Sequence, residues 1–182
     1  PGEHNRKNAA LALAVADVLG INEDKAKQSL MNFSGTWRRL EKRGETKEGT
    51  IIYDDYAHHP TEIRASLDAL QELYPDKKIT IVFQPHMYSR TKAFFPEFIE
   101  ELSKVEQLYL LQVFYAREQK DESVSVEKMA EEINKKGGNA TSFSDFQSAE
   151  DYIKGKEWGI NDVFVTMGAG EAYKVADKVF LI

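Results

Sequence analysis

From Thr50 onward, short runs of β-branched and aromatic residues alternate with longer stretches of helical periodicity, and this alternation most restricts the fold. Ile79-Thr80-Ile81-Val82-Phe83 is rich in β-formers and predicts a strand over Lys78–Phe83. Pro60–Leu73 reads as a helix, with proline in its first turn, Glu62 at the positive end of the dipole, and Ile63, Leu67, Leu70 and Leu73 as its apolar stripe. Further strands are expected over Gln107–Val113, Ala140–Phe143 and Asp162–Thr166. Further helices are expected over Thr91–Lys104, Ser125–Lys136, Asp145–Lys154 and Gly170–Phe180. Upstream, Arg39–Lys42 and Thr50–Tyr53 read as two strands joined by the polar loop Gly44–Gly49, antiparallel because that loop is short. Alternating strands and helices predict an α/β fold: a mostly parallel sheet, right-handed crossovers and helices on both faces.

A short helical segment precedes this pattern. Glu3–Leu19 is dominated by alanine and leucine, with apolar positions around most of its circumference, so burial on several sides is expected. Gly20 ends it, and Asn22 caps a second helix running to about Met31. Residues 1–36 read as the helical tail of a preceding domain and 37–182 as the main domain, with the boundary near Ser34-Gly35-Thr36. A helical hairpin packed on the main domain fits the same pattern. The chain opens at Pro1-Gly2-Glu3 without methionine, which is expected of a piece of a longer protein.

Bulk properties exclude more than they select. The formal net charge is −6, which disfavours nucleic acid as a partner. No apolar run approaches the ~20 residues of a membrane span. Cysteine is absent, which removes disulfides, thiolate nucleophiles and Cys-type zinc sites, and fits a cytoplasmic protein.

In parallel sheets ligands bind beyond the carboxyl ends of the strands. The loops expected there are Asp54-Asp55-Tyr56-Ala57-His58-His59, Gln84-Pro85-His86-Met87-Tyr88-Ser89-Arg90 and Met167-Gly168-Ala169-Gly170-Glu171, with Phe114–Glu118 as a fourth. Asp54, Asp55, His58 and His59 are metal-ligand types, but adjacent histidine side chains diverge and no His-x-x-x-His pair supports them. Ser89 lacks the glycine-flanked setting of a nucleophile and reads as a helix cap. What remains is a binding rim whose cations, His58, His86 and Arg90, suit a carboxylate or other anion. Gly168-Ala169-Gly170 before a helix either admits an anion to backbone N–H groups or only shapes the turn. Asn5 and Asn8 lie one helical turn apart, where two amides can read a base edge; N-capping by Asn5 is the plainer reading. The arginines at the presumed junction, Arg38 and Arg39, either pair with Glu41 or bind a phosphate.

The blocks Gly2-x-His4-Asn5-x-x-Asn8-Ala9-Ala10, Arg38-Arg39-x-Glu41, Asp54-Asp55-Tyr56-Ala57-His58-His59-Pro60-Thr61-Glu62, Phe83-Gln84-Pro85-His86-x-Tyr88-Ser89-Arg90-Thr91 and Gly168-Ala169-Gly170 resemble, in this order, those of the Mur ligases. The resemblance spans essentially the whole chain. It implies a Rossmann-like C-terminal domain of a three-domain enzyme that uses ATP and Mg2+ to activate a carboxylate as an acyl phosphate, which an amine then attacks. UDP-N-acetylmuramate, L-alanine and ATP are the partners implied, together with N-terminal and central domains of the same enzyme. Carried over by position, Asn8 with Asn5 beside it contacts adenine, Arg39 the phosphates and Asp55 the ribose. Tyr56 would lie near the base, and His58, His86 and Arg90 would form the amino-acid pocket. Many alanine-adding members have arginine where this chain has Met87, and a murein tripeptide recycling ligase shares the Asp-Asp-x-x-His-His-Pro block. No Gly-x-x-x-x-Gly-Lys-Ser/Thr occurs in the 182 residues, and the family's metal-binding glutamate and carbamylated lysine are missing. The chain therefore looks like the C-terminal domain plus the last helices of the central one, is expected to be inactive alone, and has no catalytic or metal-binding residue assigned. A non-catalytic nucleotide- or amino-acid-binding module, and a metal-dependent hydrolase using Asp54, Asp55 and His58, are the readings from other classes.

Overall fold

Side chains alternate across a strand, so a strand buried on both faces divides its apolar residues between two cores. In the computed structural model, which describes residues 2–180, six strands form one sheet, and its central strands do this. They are β1 (Glu41–Glu45), β2 (Ile51–Asp55), β3 (Lys78–Phe83), β4 (Gln107–Leu110), β5 (Ala140–Ser142) and β6 (Asp162–Met167). Their order across the sheet is β1-β2-β6-β3-β4-β5. Only β1 is antiparallel to its neighbour; the other pairs are parallel. Ile51, Tyr53, Ile81, Phe83, Val163 and Val165 face one core, while Ile52, Val82 and Phe164 face the other.

Helices cover both faces, as expected. The first face holds α3 (Pro60–Leu73), α5 (Phe95–Leu102) and α6 (Val126–Lys135), through residues such as Ile63, Leu70, Phe98 and Ile133. The second holds α7 (Phe146–Lys154) and α8 (Tyr173–Phe180), through Ala149, Ile153, Val175 and Ala176. Caps explain several helix starts. Ser125 accepts from Lys128 N–H and Asp145 from Ser148 N–H. At α3, His59 and Glu62 form a reciprocal capping box around Pro60.

Several expected boundaries move, each for a local reason. The helix expected over 91–104 is two: α4 (Tyr88–Ala93) and α5, broken at Phe94. Pro96 lies in the first turn of α5, where it has no N–H to donate and its ring would clash with a continuing helix. Ser89 is not the cap; Met87 occupies that position, and the Ser89 hydroxyl bonds Glu118 instead. The first strand begins at Glu41 rather than Arg39 because Arg38 and Leu40 have φ of 53° and 45°, outside strand geometry. The second strand includes Asp54 and Asp55, so both lie within the ladder, not in the loop after it. The last helix starts at Tyr173, since residues 168–171 are held by bonds to Asp55, Arg38 and Gln84.

The N-terminal helices are α1 (Glu3–Val18) and α2 (Glu23–Met31). Gly20, at φ 70°, terminates α1; Gly20 N–H bonds Asp17 and Ile21 N–H bonds Ala16. Asn22 caps α2 through Lys25 N–H. The expectation of burial on several sides fails: α1 has no buried residue, and Leu11, Val15 and Val18 are 66%, 51% and 85% exposed. The main packing of α1 is on α2 and α3, and much of its apolar surface stays exposed.

Phe98 lies fully buried on α5, in ring contact with Phe83 of β3, their centroids 5.7 Å apart. Phe98→Ala is expected to lower unfolding stability by about 3–5 kcal/mol, read from urea unfolding midpoints at constant m-value.

Candidate functional site

The parallel register places three strand ends on one rim. Met167 pairs with Asp55 on one side and with Phe83 on the other. The loop after β4 joins them through a bridge between His86 and Phe114. The four loops singled out by their residues therefore converge.

The two aspartates ending β2 must point to opposite faces. Asp54 turns toward α8, where it is fully buried and meets Arg38: Arg38 Nε donates to Asp54 Oδ2 at 2.6 Å, and Thr166 Oγ1 donates to Oδ1 at 2.6 Å. Arg38 is 4% exposed and also donates to the carbonyls of Gly168 (2.8 Å) and Gly170 (3.1 Å). Asp55 turns toward α3. Ser66 donates its hydroxyl to Oδ2, and Ala57 N–H donates to Oδ1 at 3.2 Å. Burial holds the Asp55 carboxyl above its ordinary pKa, opposed by these bonds, by Leu40 N–H and by Arg39.

Asp55 borders a cleft of about 510 Å³. One wall is the first turns of α1, with His4, Asn5 and Asn8; the other is the start of α3, with Thr61, Glu62 and Ser66; Arg39 and Leu40 close one side. Four of the five expected nucleotide residues, Asn5, Asn8, Arg39 and Asp55, thus share one cavity. The fifth, Tyr56, does not line it. Its ring lies against the Arg38 and Arg39 guanidinium carbons, at 5.1 and 5.4 Å from the centroid.

The expected amino-acid residues form a second group. His58 and His86 have ring centroids 5.8 Å apart, and Arg90 Nη1 lies 3.4 Å from His86 Nδ1. His58 Nδ1 lies 2.8 Å from the Tyr56 carbonyl, so the donor proton belongs on that nitrogen. His86 stacks on Phe114 with centroids 5.4 Å apart. Burial, then the neighbouring Arg90 and His58, lower the His86 pKa below its ordinary value. Tyr56 joins the two groups: its ring meets Arg39 and also His58, whose centroid lies 5.5 Å away.

Other readings of the rim do not hold in this geometry. Asp54 is committed to Arg38, and Asp55 faces the opposite side of the sheet, so they cannot share an ion with His58. Among the described residues no group of three or more His, Asp or Glu could hold a metal ion. Two backbone donors of the glycine loop, and two of its carbonyls, are already engaged. Gly168 N–H bonds Asp55 O, Glu171 N–H bonds Gln84 Oε1, and the carbonyls of Gly168 and Gly170 serve Arg38. The glycines are required sterically: a Cβ at Gly168, where φ is 136°, would sit 2.6 Å from Gln84 O. Glu41 pairs with the backbone N–H of Arg38 at 2.9 Å, not with a guanidinium.

Sequence reasoning named Arg38 but not its burial against Asp54, and it missed Ser66. The Arg-Arg pair does not say which member is buried. The signal available was the Asp54-Asp55 pair at a strand end: one of the two must face inward and needs a partner.

The family model for the Mur ligase glutamate ligase domain matches residues 38–170. The chain belongs to the Mur ligase family. It is 41% identical over 178 residues to UDP-N-acetylmuramate–L-alanine ligase of Caldanaerobacter subterraneus subsp. tengcongensis, covering 98% of this chain and 38% of that protein. The enzyme of the same name from Clostridium acetobutylicum is 42% identical over 177 residues, covering 97% and 38%. Among solved structures, the UDP-N-acetylmuramate–alanine ligase of Thermotoga maritima superposes with a TM-score of 0.81 at 25% identity, over 98% of this chain and 37% of that one. A MurF ligase from Thermotoga maritima in complex with ADP shares the fold, with a TM-score of 0.68 at 22% identity over 100% of this chain and 39% of that one. This Mur ligase chain therefore spans under two fifths of the length of these relatives.

The His86 environment yields a signed pH effect. Its folded pKa lies below the ordinary 6.5, so the unfolded chain binds the proton more readily. Stability contributed by neutral His86 is full above pH 6.5 and is lost as pH falls from 6.5 through the lowered folded value. Urea midpoints from pH 7.5 to 5 are expected to fall more steeply in the native chain than in His86→Gln, and the His86 ring resonance to titrate below 6.5.

Proposed function

We propose that this chain is the C-terminal part of an ATP-dependent ligase that joins L-alanine to UDP-N-acetylmuramate in the cytoplasm, in peptidoglycan precursor synthesis. On this reading residues 1–36 are the tail of a central ATPase domain and 37–182 the C-terminal domain. One observation carries the proposal: Asn5, Asn8, Arg39 and Asp55 line one cleft, and the His58, His86 and Arg90 group stands one tyrosine away. The 41% identity to alanine-adding ligases over nearly the whole chain supports the choice of reaction.

The residues fit an adenine nucleotide. The Asn5 and Asn8 amides can donate to and accept from a base edge. Asp55 accepts from Ser66, Ala57 N–H and Leu40 N–H, and a carboxylate keeps capacity for one more donor such as a ribose hydroxyl. Arg39 is half-exposed at the cleft, where its guanidinium can meet phosphate. ATP, when bound, supplies the phosphoryl group that turns a carboxylate into an acyl phosphate. Arg90 would hold the carboxylate of the incoming amino acid, and His58 with His86 would orient it so that its amine faces the acyl carbon. Keeping His86 neutral lets its Nδ1 accept from Arg90, so the imidazole helps hold that guanidinium for the incoming carboxylate. Met87, at φ 71°, offers no cation, so carboxylate recognition falls on Arg90.

The 182-residue chain alone is expected neither to hydrolyse ATP nor to ligate alanine, since it contains no phosphate loop. Turnover above background by the purified chain would sink that expectation. In the ligase that contains this chain, Arg90→Ala should raise the KM for L-alanine at least tenfold and leave the KM for ATP within twofold. A dominant effect on ATP refutes the pocket assignment, and a preference for murein tripeptide over free alanine selects the recycling ligase.

A further inference from the structure

We propose that Arg38 is a positioning residue for Arg39, holding the turn that presents the neighbouring guanidinium to phosphate. The proposal rests on the nucleotide reading of the cleft. Arg39 has little of its own to fix it. It is half-exposed, its nearest carboxylate is Glu62 at 3.9 Å, and its guanidinium lies over the Tyr56 ring at 5.4 Å. Its placement is inherited from the backbone of residues 38–40, and that backbone is unusual. Arg38 and Leu40, on either side of Arg39, are both left-handed, at φ 53° and 45°.

Arg38 supplies the bonds that over-determine this turn. Its side chain reaches down one face of the sheet to Asp54 at 2.6 Å and to the carbonyls of Gly168 and Gly170 at 2.8 and 3.1 Å. Its N–H donates to Glu41 Oε2 at 2.9 Å, and its carbonyl accepts from Tyr56 N–H at 2.6 Å. On the other face, Leu40 N–H bonds the Asp55 carboxylate. With residue 38 anchored behind the sheet and residue 40 anchored in front of it, residue 39 is left pointing along the rim into the cleft. Planarity matters here. One guanidinium serves a carboxylate and two carbonyls at once, whereas an ammonium at the same position keeps the charge but not the fork.

The test is titration of the isotope-labelled chain with ADP and, separately, with adenosine, at fixed ionic strength, following amide shifts. Arg38→Lys is expected to weaken ADP at least tenfold and to leave adenosine within twofold, as Arg39→Met should. The double variant Arg38→Lys/Arg39→Met should bind ADP within twofold of Arg39→Met alone, because both changes remove one phosphate contact. Equal loss of ADP and adenosine, additive losses in the double variant, or unchanged ADP binding by folded Arg38→Lys overturns the proposal. Where Arg38→Lys fails to fold, as read by circular dichroism, Asp54→Asn is held to the same criteria. No ADP binding by the unaltered chain overturns the cleft reading, and this proposal with it.

Discussion

The buried Arg38–Asp54 pair is the interaction on which the rim depends. Two charges taken out of water are costly, and a buried pair repays that cost only with good geometry and with its remaining donors and acceptors satisfied. Here both conditions are met. Asp54 receives Arg38 on one oxygen and Thr166 on the other, while Arg38 spends its remaining nitrogens on Gly168 and Gly170. The Arg38 guanidinium also lies over the Tyr173 ring at 4.8 Å, which covers it from the α8 side. The pair thereby joins the chain entering the sheet, the end of β2, the glycine loop after β6 and the first residue of α8. An apolar pair could fill the same volume, but it would not donate to the Gly168 and Gly170 carbonyls, which Arg38 satisfies.

The glycine loop shows how closely these pieces are fitted. Gln84, after β3, reaches back to bond Glu171 N–H and the carbonyl of Gln112. A side chain at Gly170 would begin 2.4 Å from Gln84 Oε1. Gln84 is therefore packed against the backbone that Arg38 holds from the other side. The loop after β3, which carries His86 and Arg90, is built on the same scaffold as the loop after β2, which carries Asp55 and His58.

Much of this was legible in the sequence because it rests on period and composition. The strand over Lys78–Phe83 and the helix over Pro60–Leu73 have the bounds expected of them. The convergence of loops follows once the sheet is parallel. What was not legible depends on distant partners or backbone sign. Nothing in Arg38-Arg39-Leu40 announces two left-handed residues, since neither is glycine or asparagine. The break at Phe94 was signalled by Pro96 and was overridden by the apolar run Phe94-Phe95 and Phe98-Ile99. For α1, helical periodicity and alanine content were read as burial, yet they establish only a helix with apolar surface. Its docking is modest: Arg6 pairs with Glu72 across exposed surface, and Gly2 approaches Ala69 so closely that a Cβ there would lie 2.9 Å from the Ala69 Cβ. That contact turns Asn5 and Asn8 toward the cleft, which is the functional consequence of an otherwise sparse interface.

Tyr56 gives the rim its last piece of logic. Strand alternation would send residue 56 to the same face as Asp54, and its ring does lie against Arg38 there. Its backbone, however, touches both groups of rim residues. The N–H of Tyr56 is held by Arg38 O, and its carbonyl lies 2.8 Å from His58 Nδ1. Its ring touches Arg39 on one side and His58 on the other. The Arg39 guanidinium, the Tyr56 ring and the His58 imidazole beside His86 are therefore in one continuous line of contact. The Tyr56 ring is thus one wall shared by the Arg39 cleft and the His58–His86 group, and the wall is itself fixed by the buried pair beneath it.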